Sequence, residues 1–127
     1  MDTFEILSQL CSAAGVSGAE GSAAEAAAKL LEEYGEVTLD NALGSVICKV
    51  GSWEDGKPVM LLDAHIDEIG MIVTYITEDG FLKISGCGGL DTRLLLAQQV
   101  TVYGKEKLTG IVTSTPPHLE KDSSDAP

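Results

Sequence analysis

The first helical pattern of the chain lies at its very start. Apolar residues recur every three or four positions over residues 4–14 and so form one stripe along a helix. Asp2 and Glu5 resemble a capping box, in which each side chain bonds the backbone N–H of the other residue. The pattern predicts a first helix that Gly15 closes.

A second helical pattern follows, and it is rich in alanine. Ser17 and Glu20 repeat the S-x-x-E capping signal, and apolar positions at helical spacing continue to Tyr34, just before Gly35. Small side chains allow a helix to come close to its neighbour. We therefore predict a second helix that packs its alanine-rich face on something flat, such as a sheet.

Strand patterns occupy the chain up to residue 64. Residues 37–39 alternate, residues 41–44 predict a turn, and residues 45–50 are rich in β-branched side chains. Residues 58–64, called the apolar run below, are apolar without alternation. Such strands are usually buried on both faces in the centre of an α/β sheet. Helices followed by this strand predict the start of a layered α/β domain.

The second half of the chain changes to short antiparallel strands. Residues 70–77 and 81–85 flank a tight turn and predict a hairpin, and residues 99–103 and 108–113 predict another strand pair. The glycines within residues 86–89 predict a flexible joint between the pairs. This half therefore predicts a small antiparallel barrel with no helix of its own.

Together these patterns predict an α+β protein with a boundary near residues 67–70. We expect residues 1–67 to form the N-terminal part of a layered α/β domain and residues 68–127 to form an incomplete β-barrel domain. Neither part is complete, because two helices and one or two buried strands would leave a sheet face uncovered. Residues 114–127 lack periodicity and predict a disordered or cut terminus.

Composition limits the classes of partner and the compartment. The 127 residues carry a formal net charge of −12, which argues against nucleic acid and anionic membrane surfaces as partners. Three cysteines at wide spacing predict reduced thiols in a cytosolic protein. We expect neither a signal peptide nor a membrane-spanning segment, because the N-terminus lacks a basic region and no apolar stretch approaches about 18 residues.

The candidate chemistry follows the apolar run directly, in His65 and Asp67. Residues two apart in an extended backbone point to the same side, so Asp67 could accept a hydrogen bond from the imidazole or share its metal ion. Imidazole is a common zinc ligand, and a nearby carboxylate often orients it. The residues alone leave two interpretations open: a metal ligand with its orienting acid, or a core histidine beside solvated acids.

The other candidate residues favour structural roles. Asp63 is expected to be a solvated acid at a strand end, and Glu68, which faces the opposite way from its neighbour, a hydrogen-bonded or solvated acid. His118 stands alone far along the chain, so packing or exposure is favoured over metal binding. Arg93 beside Asp91 predicts a local ion pair.

Taken in order, the segments of this chain resemble metallopeptidase family 42, the group of glutamyl aminopeptidases and tetrahedral aminopeptidases. Any one matching segment is short, but their order and spacing are specific. The segments cover essentially the whole chain and comprise residues 18–20, 40–46, 59–70, 79–82, 88–93, 99–104 and 116–119.

The resemblance implies a cytoplasmic hydrolase, a two-metal aminopeptidase that removes residues from the N-termini of peptides. Two zinc or cobalt ions would share a bridging water, and one ion would act as a Lewis acid on the peptide carbonyl. His65 falls at a metal-ligand position, and Asp67 at the acid that orients this histidine. The β-rich part corresponds to an inserted dimerisation domain, from which large homo-oligomers are built.

The resemblance also implies that the chain is the N-terminal third of such an enzyme. The bridging aspartate, the general-base glutamate, another metal-binding acid and the final histidine fall outside it. Ser45 stands where the family usually has asparagine, and Asp63 where a small residue is common. We therefore expect an aminopeptidase fragment that is inactive by itself, because one imidazole cannot hold a catalytic metal pair.

Two alternatives belong to other functional classes. The β-rich half could be a non-catalytic module for binding or self-association, since half-built sheets expose their edges. A glycoside hydrolase would need two carboxylates that flank one bond, whereas Asp67 and Glu68 are adjacent and point apart. Sugar sites also usually need aromatic platforms, and Trp53 is the only tryptophan.

Overall fold

The computed structural model describes residues 2–40 and 42–114, and this part of the chain is a mixed α+β structure. Two helices come first and three antiparallel strand pairs follow, which confirms the expected α+β class. In chain order the elements are α1 (Thr3–Ser12), α2 (Gly21–Leu31), β1 (Glu36–Leu39), β2 (Val46–Lys49), β3 (Gly70–Ile76), β4 (Leu82–Cys87), a 3₁₀ turn (Thr92–Leu94), β5 (Gln99–Tyr103) and β6 (Lys107–Ile111).

The chain divides into two compact units, Met1–Leu90 and Asp91–Pro127. The first unit holds both helices and strands β1 to β4, and the second holds β5 and β6. This division reflects contacts within the chain, whereas the boundary expected between residues 67 and 68 separates a catalytic from an inserted domain. That boundary stays a prediction.

Helix α1 begins as the sequence indicates. The Glu5 N–H donates to Asp2 Oδ1 at 2.8 Å and the Asp2 N–H donates to Glu5 Oε2 at 3.1 Å, which completes the capping box. The helix ends at Ser12 rather than at Gly15. A Cβ at Gly15 would lie 2.9 Å from the Cβ of Ala23, so glycine serves here to let the chain approach α2 closely.

Helix α2 begins without the predicted capping box. Its N-cap, Glu20, makes no side-chain capping bond, and its carboxylate accepts from the Gly18 N–H at 2.5 Å instead. The helix ends at Leu31 rather than at Tyr34. It contacts α1 and both strands of the β1–β2 sheet, which confirms that the helix packs against a sheet. The buried core of the described residues lies on α2 and consists of Ala23, Ala24, Ala28 and Leu30.

Strands β1 and β2 pair in antiparallel fashion, with Glu36 opposite Lys49. The Asp40 N–H donates to the Ser45 carbonyl at 2.8 Å and closes the connection between them. At Gly35 a Cβ would overlap the carbonyl oxygen of Lys49, so a larger residue would push the two strands apart. Both predicted strands are confirmed.

Strands β3 and β4 form the predicted hairpin, with Gly70 opposite Cys87 at its open end. The Gly80 N–H donates to the Thr77 carbonyl at 3.0 Å in the turn, where Gly80 has a φ of 82° that favours glycine. Gly86 and Cys87, which were expected to lie in a flexible joint, instead form the end of β4.

Strands β5 and β6 form a second hairpin, with Gln99 opposite Ile111 and Tyr103 opposite Lys107. Each strand pair in the described part of the chain is a separate two-stranded sheet. The incomplete barrel therefore stays a prediction, as does the layered arrangement of the first half.

The apolar run is not the buried strand that its composition predicts. None of its residues is paired in a strand, and Met60, Leu61 and Leu62 are 84%, 85% and 87% exposed. An extended segment becomes a strand only through hydrogen bonds to a neighbour, and none of residues 2–40 or 42–114 lies beside it as one. The prediction of a buried strand is wrong for this chain, although the preference for burial that its composition expresses remains.

Two further expectations concern membrane-spanning helices and the C-terminal residues. No helix within residues 2–40 and 42–114 is both long enough and apolar enough to cross a membrane. The predicted disordered terminus begins at residue 114, and from residue 115 onward it lies outside the described residues, as does His118.

Candidate functional site

The candidate site forms where the loop between the two helices meets the segment after the apolar run. We call residues 13–20 the interhelix loop and residues 65–70 the docked segment. The Glu68 N–H donates to the Gly15 carbonyl at 2.8 Å, and the Gly15 N–H donates to Glu68 Oε1 at 3.2 Å. Val16 and Glu68 form a parallel bridge at the same place. These contacts fix the docked segment against the helices.

Gly70 allows the two segments to approach each other. A Cβ at this position would overlap both methyl groups of Val16. The glycine that follows the His-x-Asp motif therefore has a packing role, since its missing side chain leaves the space that Val16 fills.

His65 and Asp67 lie together as the two-residue spacing predicts. The imidazole Nδ1 is 3.0 Å from Asp67 Oδ1. The His65 side chain is 86% exposed, whereas that of Asp67 is 41% exposed. The imidazole is thus not a core histidine in this chain, and its second nitrogen, Nε2, is the atom left for another partner. The catalytic and metal-binding roles expected of the two residues stay predictions.

Ser17 is the site residue that the sequence does not reveal. Its hydroxyl donates to Asp67 Oδ2 at 2.5 Å, across 50 positions of the chain. The local S-x-x-E pattern predicts instead that Ser17 caps α2, and that prediction is wrong. No local signal could identify this contact, because it depends on how the interhelix loop meets the docked segment.

The hydrogen bonds around Asp67 favour its charged form. The Ser17 hydroxyl first, and the His65 imidazole second, hold the pKa of Asp67 below its ordinary value. Asp67 is therefore an acceptor through both oxygens at neutral pH. An acceptor that faces Nδ1 favours the tautomer with its proton on Nδ1, which leaves the lone pair on Nε2.

A cavity of about 270 Å³ lies beside this group. Its walls come from Leu10 and Cys11 of α1, from Ala23 of α2, and from residues 65–68. This volume lies just below the range of typical ligand pockets, which span roughly 300–1,000 Å³.

The described residues supply one candidate metal ligand and not a complete set. Within residues 2–40 and 42–114 no group of three or more His, Cys, Asp and Glu side chains is placed to hold a metal ion. His65 presents Nε2 as one donor with an acid on its other nitrogen, which fits a single ligand of a zinc-type ion. Asp63 is exposed, and no hydrogen bond joins it to His65.

The remaining candidates have structural roles, as expected. Glu68 is hydrogen-bonded to the interhelix loop and does not face the partners of Asp67. Arg93 donates to Asp91 through Nε at 2.9 Å and Nη2 at 2.7 Å, and this ion pair lowers the pKa of Asp91. Cys11, Cys48 and Cys87 are free thiols.

Known proteins of one peptidase family match this chain. The family described as M42 glutamyl aminopeptidase matches residues 44–127, which is more than half of the chain. The lysyl aminopeptidase of Pyrococcus furiosus is 28% identical over 127 residues, covering 98% of this chain and 36% of that protein. The chain spans about a third of the length of the relatives it matches.

Solved structures agree with the sequence matches. The TET aminopeptidase of a marine sediment archaeon of the Thaumarchaeota has a TM-score of 0.79 and 34% identity, over 94% of this chain and 33% of that one. The TET1 peptidase of Pyrococcus horikoshii has a TM-score of 0.76 and 35% identity, over 99% of this chain and 38% of that one. The latter can assemble into a tetrahedron or a large octahedral shell.

Proposed function

The chain belongs to the M42 glutamyl aminopeptidase family, and from this membership we propose that it forms part of a two-metal aminopeptidase that removes residues from peptide N-termini. The observation that carries the proposal is the arrangement of His65, whose Nδ1 lies against Asp67 and whose side chain is 86% exposed. A metal ion on Nε2 would supply Lewis-acid chemistry to the peptide carbonyl.

His65 and Asp67 have separate roles in this proposal. His65 would bind one of two zinc or cobalt ions through Nε2. Asp67 would accept from Nδ1 and fix the orientation of the imidazole ring. From the family resemblance, the remaining ligands and the general base are proposed to come from sequence outside these 127 residues; within residues 2–40 and 42–114 no group of three ligands is present.

The exposed apolar run supports a proposal about the fold of a full-length family member. Three successive side chains that are 84–87% exposed would gain free energy from burial, at about 25 cal/mol for each Å² of apolar surface covered. We propose that further sequence of a full-length family member covers the run and makes it a central strand of the catalytic domain. Residues 1–67 would belong to that domain, and residues 68–127 to an inserted β-barrel used for dimerisation.

The proposed setting follows from the same family. The substrates would be peptides, the compartment the cytoplasm, and the assembly a homo-oligomer, as the Pyrococcus horikoshii relative forms shells. The net charge of −12 accords with the absence of nucleic-acid and anionic-membrane partners from this proposal.

Hydrolysis of amino-acid anilides in the presence of Zn²⁺ or Co²⁺ tests the proposal. The 127-residue chain should show negligible turnover, whereas a protein of full family length that contains it should be active. In that longer protein, His65→Ala should abolish activity and lower the bound metal per subunit, and Ser52→Ala, at an exposed position outside the site, should change neither. Strong metal-dependent turnover by the 127-residue chain would contradict the proposed division of ligands, and an inactive full-length protein would contradict the function.

A non-catalytic self-association module is the second candidate, and the exposed apolar run favours it for the chain alone. Unpaired strand edges and exposed leucines promote association between copies. Light scattering over a concentration series measures it. A chain that stays monomeric at high concentration would exclude this candidate.

A further inference from the structure

We infer that Ser17 is a positioning residue for His65, which it holds through Asp67 in the tautomer that offers Nε2 to a metal ion. This inference rests on the proposed function, since it assumes that Nε2 of His65 is the donor. It adds a third member to the His-x-Asp motif, taken from a loop 50 positions away in sequence.

The geometry gives each oxygen of Asp67 a separate partner. Oδ1 lies 3.0 Å from His65 Nδ1, and Oδ2 accepts from the Ser17 hydroxyl at 2.5 Å. The terminal torsion of an aspartate is soft and roughly two-fold, so a carboxylate held at only one oxygen can turn away. Because Asp67 is 41% exposed, water competes for it. The Ser17 hydroxyl restrains the torsion and keeps Oδ1 facing the imidazole.

Ser17 is itself held in place by its neighbours. The paired hydrogen bonds between Gly15 and Glu68 fix the backbone before it, and the Ala19 N–H donates to the Val16 carbonyl at 2.8 Å across it. Gly18, with a φ of 86°, permits that turn. The hydroxyl therefore comes from a fixed backbone position.

The alternative role of Ser17, a helix cap, does not account for its position. The N-cap of α2 is Glu20, and no side-chain capping bond is made there. The hydroxyl donates to Asp67 rather than accepting from a backbone N–H of the helix. Its contact is thus with the site and not with the helix that follows.

The chemical consequence is a choice of tautomer. A free neutral histidine exchanges its proton between Nδ1 and Nε2, and only the form protonated on Nδ1 can bind metal through Nε2. Loss of an acid that orients a ligating histidine typically lowers metal affinity by about 10–100-fold. Ser17 acts one contact further out, so its removal should lower the affinity by less than removal of Asp67 does.

Nitrogen NMR of the chain measures the tautomer directly. The chain has two histidines, and a His118→Gln variant assigns the signals of His65. At a pH where the imidazole is neutral, the ¹⁵N shifts of wild type should show mainly the Nδ1-protonated form. Asp67→Asn should lose this preference, Ser17→Ala should lose much of it, and Ser17→Thr, which keeps a hydroxyl, should retain it. Ser52→Ala should match wild type.

The amide signal of Glu68 reports in the same samples whether the interhelix loop is still docked. With the loop docked, a Ser17→Ala variant that keeps the wild-type tautomer would overturn the inference. If Ser17→Ala undocks the loop, the Thr variant decides: a tautomer mixture in docked Ser17→Thr would also overturn it.

Failure of the aminopeptidase proposal would give a different result. The tautomer would respond to Ser17 and Asp67 as expected, but His65→Ala would leave the metal content and activity of the full-length protein unchanged. Metal titration of the full-length Ser17→Ala variant completes the test, with an affinity between those of wild type and Asp67→Asn expected. An affinity equal to that of wild type would overturn the positioning role.

Discussion

The apolar run and the docked segment are adjacent in sequence but differ in what they contact. The docked segment bonds to the interhelix loop through Glu68 and Asp67. The apolar run is unpaired, and Leu61 within it is 85% exposed. Within residues 2–40 and 42–114, the polar site residues thus have hydrogen-bond partners, whereas the most apolar segment is not paired in a strand. Hydrogen bonds around a site can therefore be in place while the apolar segment next to it in sequence is exposed.

The largest expected effect is a difference in how much Leu61→Ala destabilises the short chain and a full-length protein. Leu61→Ala should change the free energy of unfolding of this chain by less than about 0.5 kcal/mol, because the side chain is exposed. In a full-length protein that covers the run, the same substitution should cost about 2–5 kcal/mol. Urea unfolding of both proteins measures the difference.

Leu30→Ala provides the matched control for this comparison. Leu30 is only 8% exposed within the chain, so its truncation should destabilise both proteins. If Leu61→Ala had an equally small effect in the short and the full-length proteins, the apolar run would not be a covered strand.

The next effect tests how closely the docked segment fits the loop. Gly70→Ala introduces a Cβ that overlaps Val16, and such overpacking typically costs about 1–3 kcal/mol. Gly89→Ala adds a methyl group in open space and should be within about 0.5 kcal/mol of wild type. Thermal or urea unfolding checks both, and Val16→Ala combined with Gly70→Ala should recover part of the loss. Equal stability of the two single variants would show that the contact with Val16 is not tight.

The smallest expected effect is a dependence on pH of the contact between the docked segment and the interhelix loop. The pKa of Asp67 is lower in the folded chain than the ordinary value of about 3.9, chiefly because of Ser17 and then His65. Its contribution to docking is therefore present above that ordinary value and is lost as the pH falls through the lowered pKa. The amide shift of Glu68 should follow this loss.

Two variants isolate the part of this acid dependence that belongs to Asp67. Glu68 is a second acid of the docked segment, and its carboxylate accepts from the Gly15 N–H, so the difference between wild type and Asp67→Asn is the relevant quantity. Asp91→Asn removes another acid whose pKa is lowered, but it lies in the other compact unit and should leave the curve unchanged. An identical curve for wild type and Asp67→Asn would contradict the assignment.

Sequence reasoning was sufficient where the interaction is local. The two-residue spacing of His65 and Asp67 predicts their contact, because side chains alternate along an extended backbone. The Asp2–Glu5 capping box and the turn at Gly80 depend on three or four consecutive residues and were equally accessible. In each case the pattern contains both partners.

The predictions that are wrong concern interactions whose partners are not local in sequence. The hydroxyl of Ser17 has a local use as a helix cap and a distant one at Asp67, and the distant one prevails. The hydrophobicity of the apolar run predicts that it prefers burial. It does not predict whether the residues that would bury it lie within the same chain. The sequence pattern predicts that a segment or side chain makes a contact, whereas the partner it contacts depends on the tertiary structure.

The contacts between the interhelix loop and the docked segment have a consequence for the order of folding. The hydrogen bond from Gly15 to Glu68 spans 53 positions, so it closes a long loop that contains α2, β1 and β2. Such non-local contacts form only after the entropy of closure has been met, and we expect them to follow the local helix and hairpin contacts. Closure entropy rises only by about 0.6 kcal/mol for each doubling of loop length. Insertions within residues 51–57 should therefore delay assembly of the His65 site only slightly, while leaving its final geometry intact.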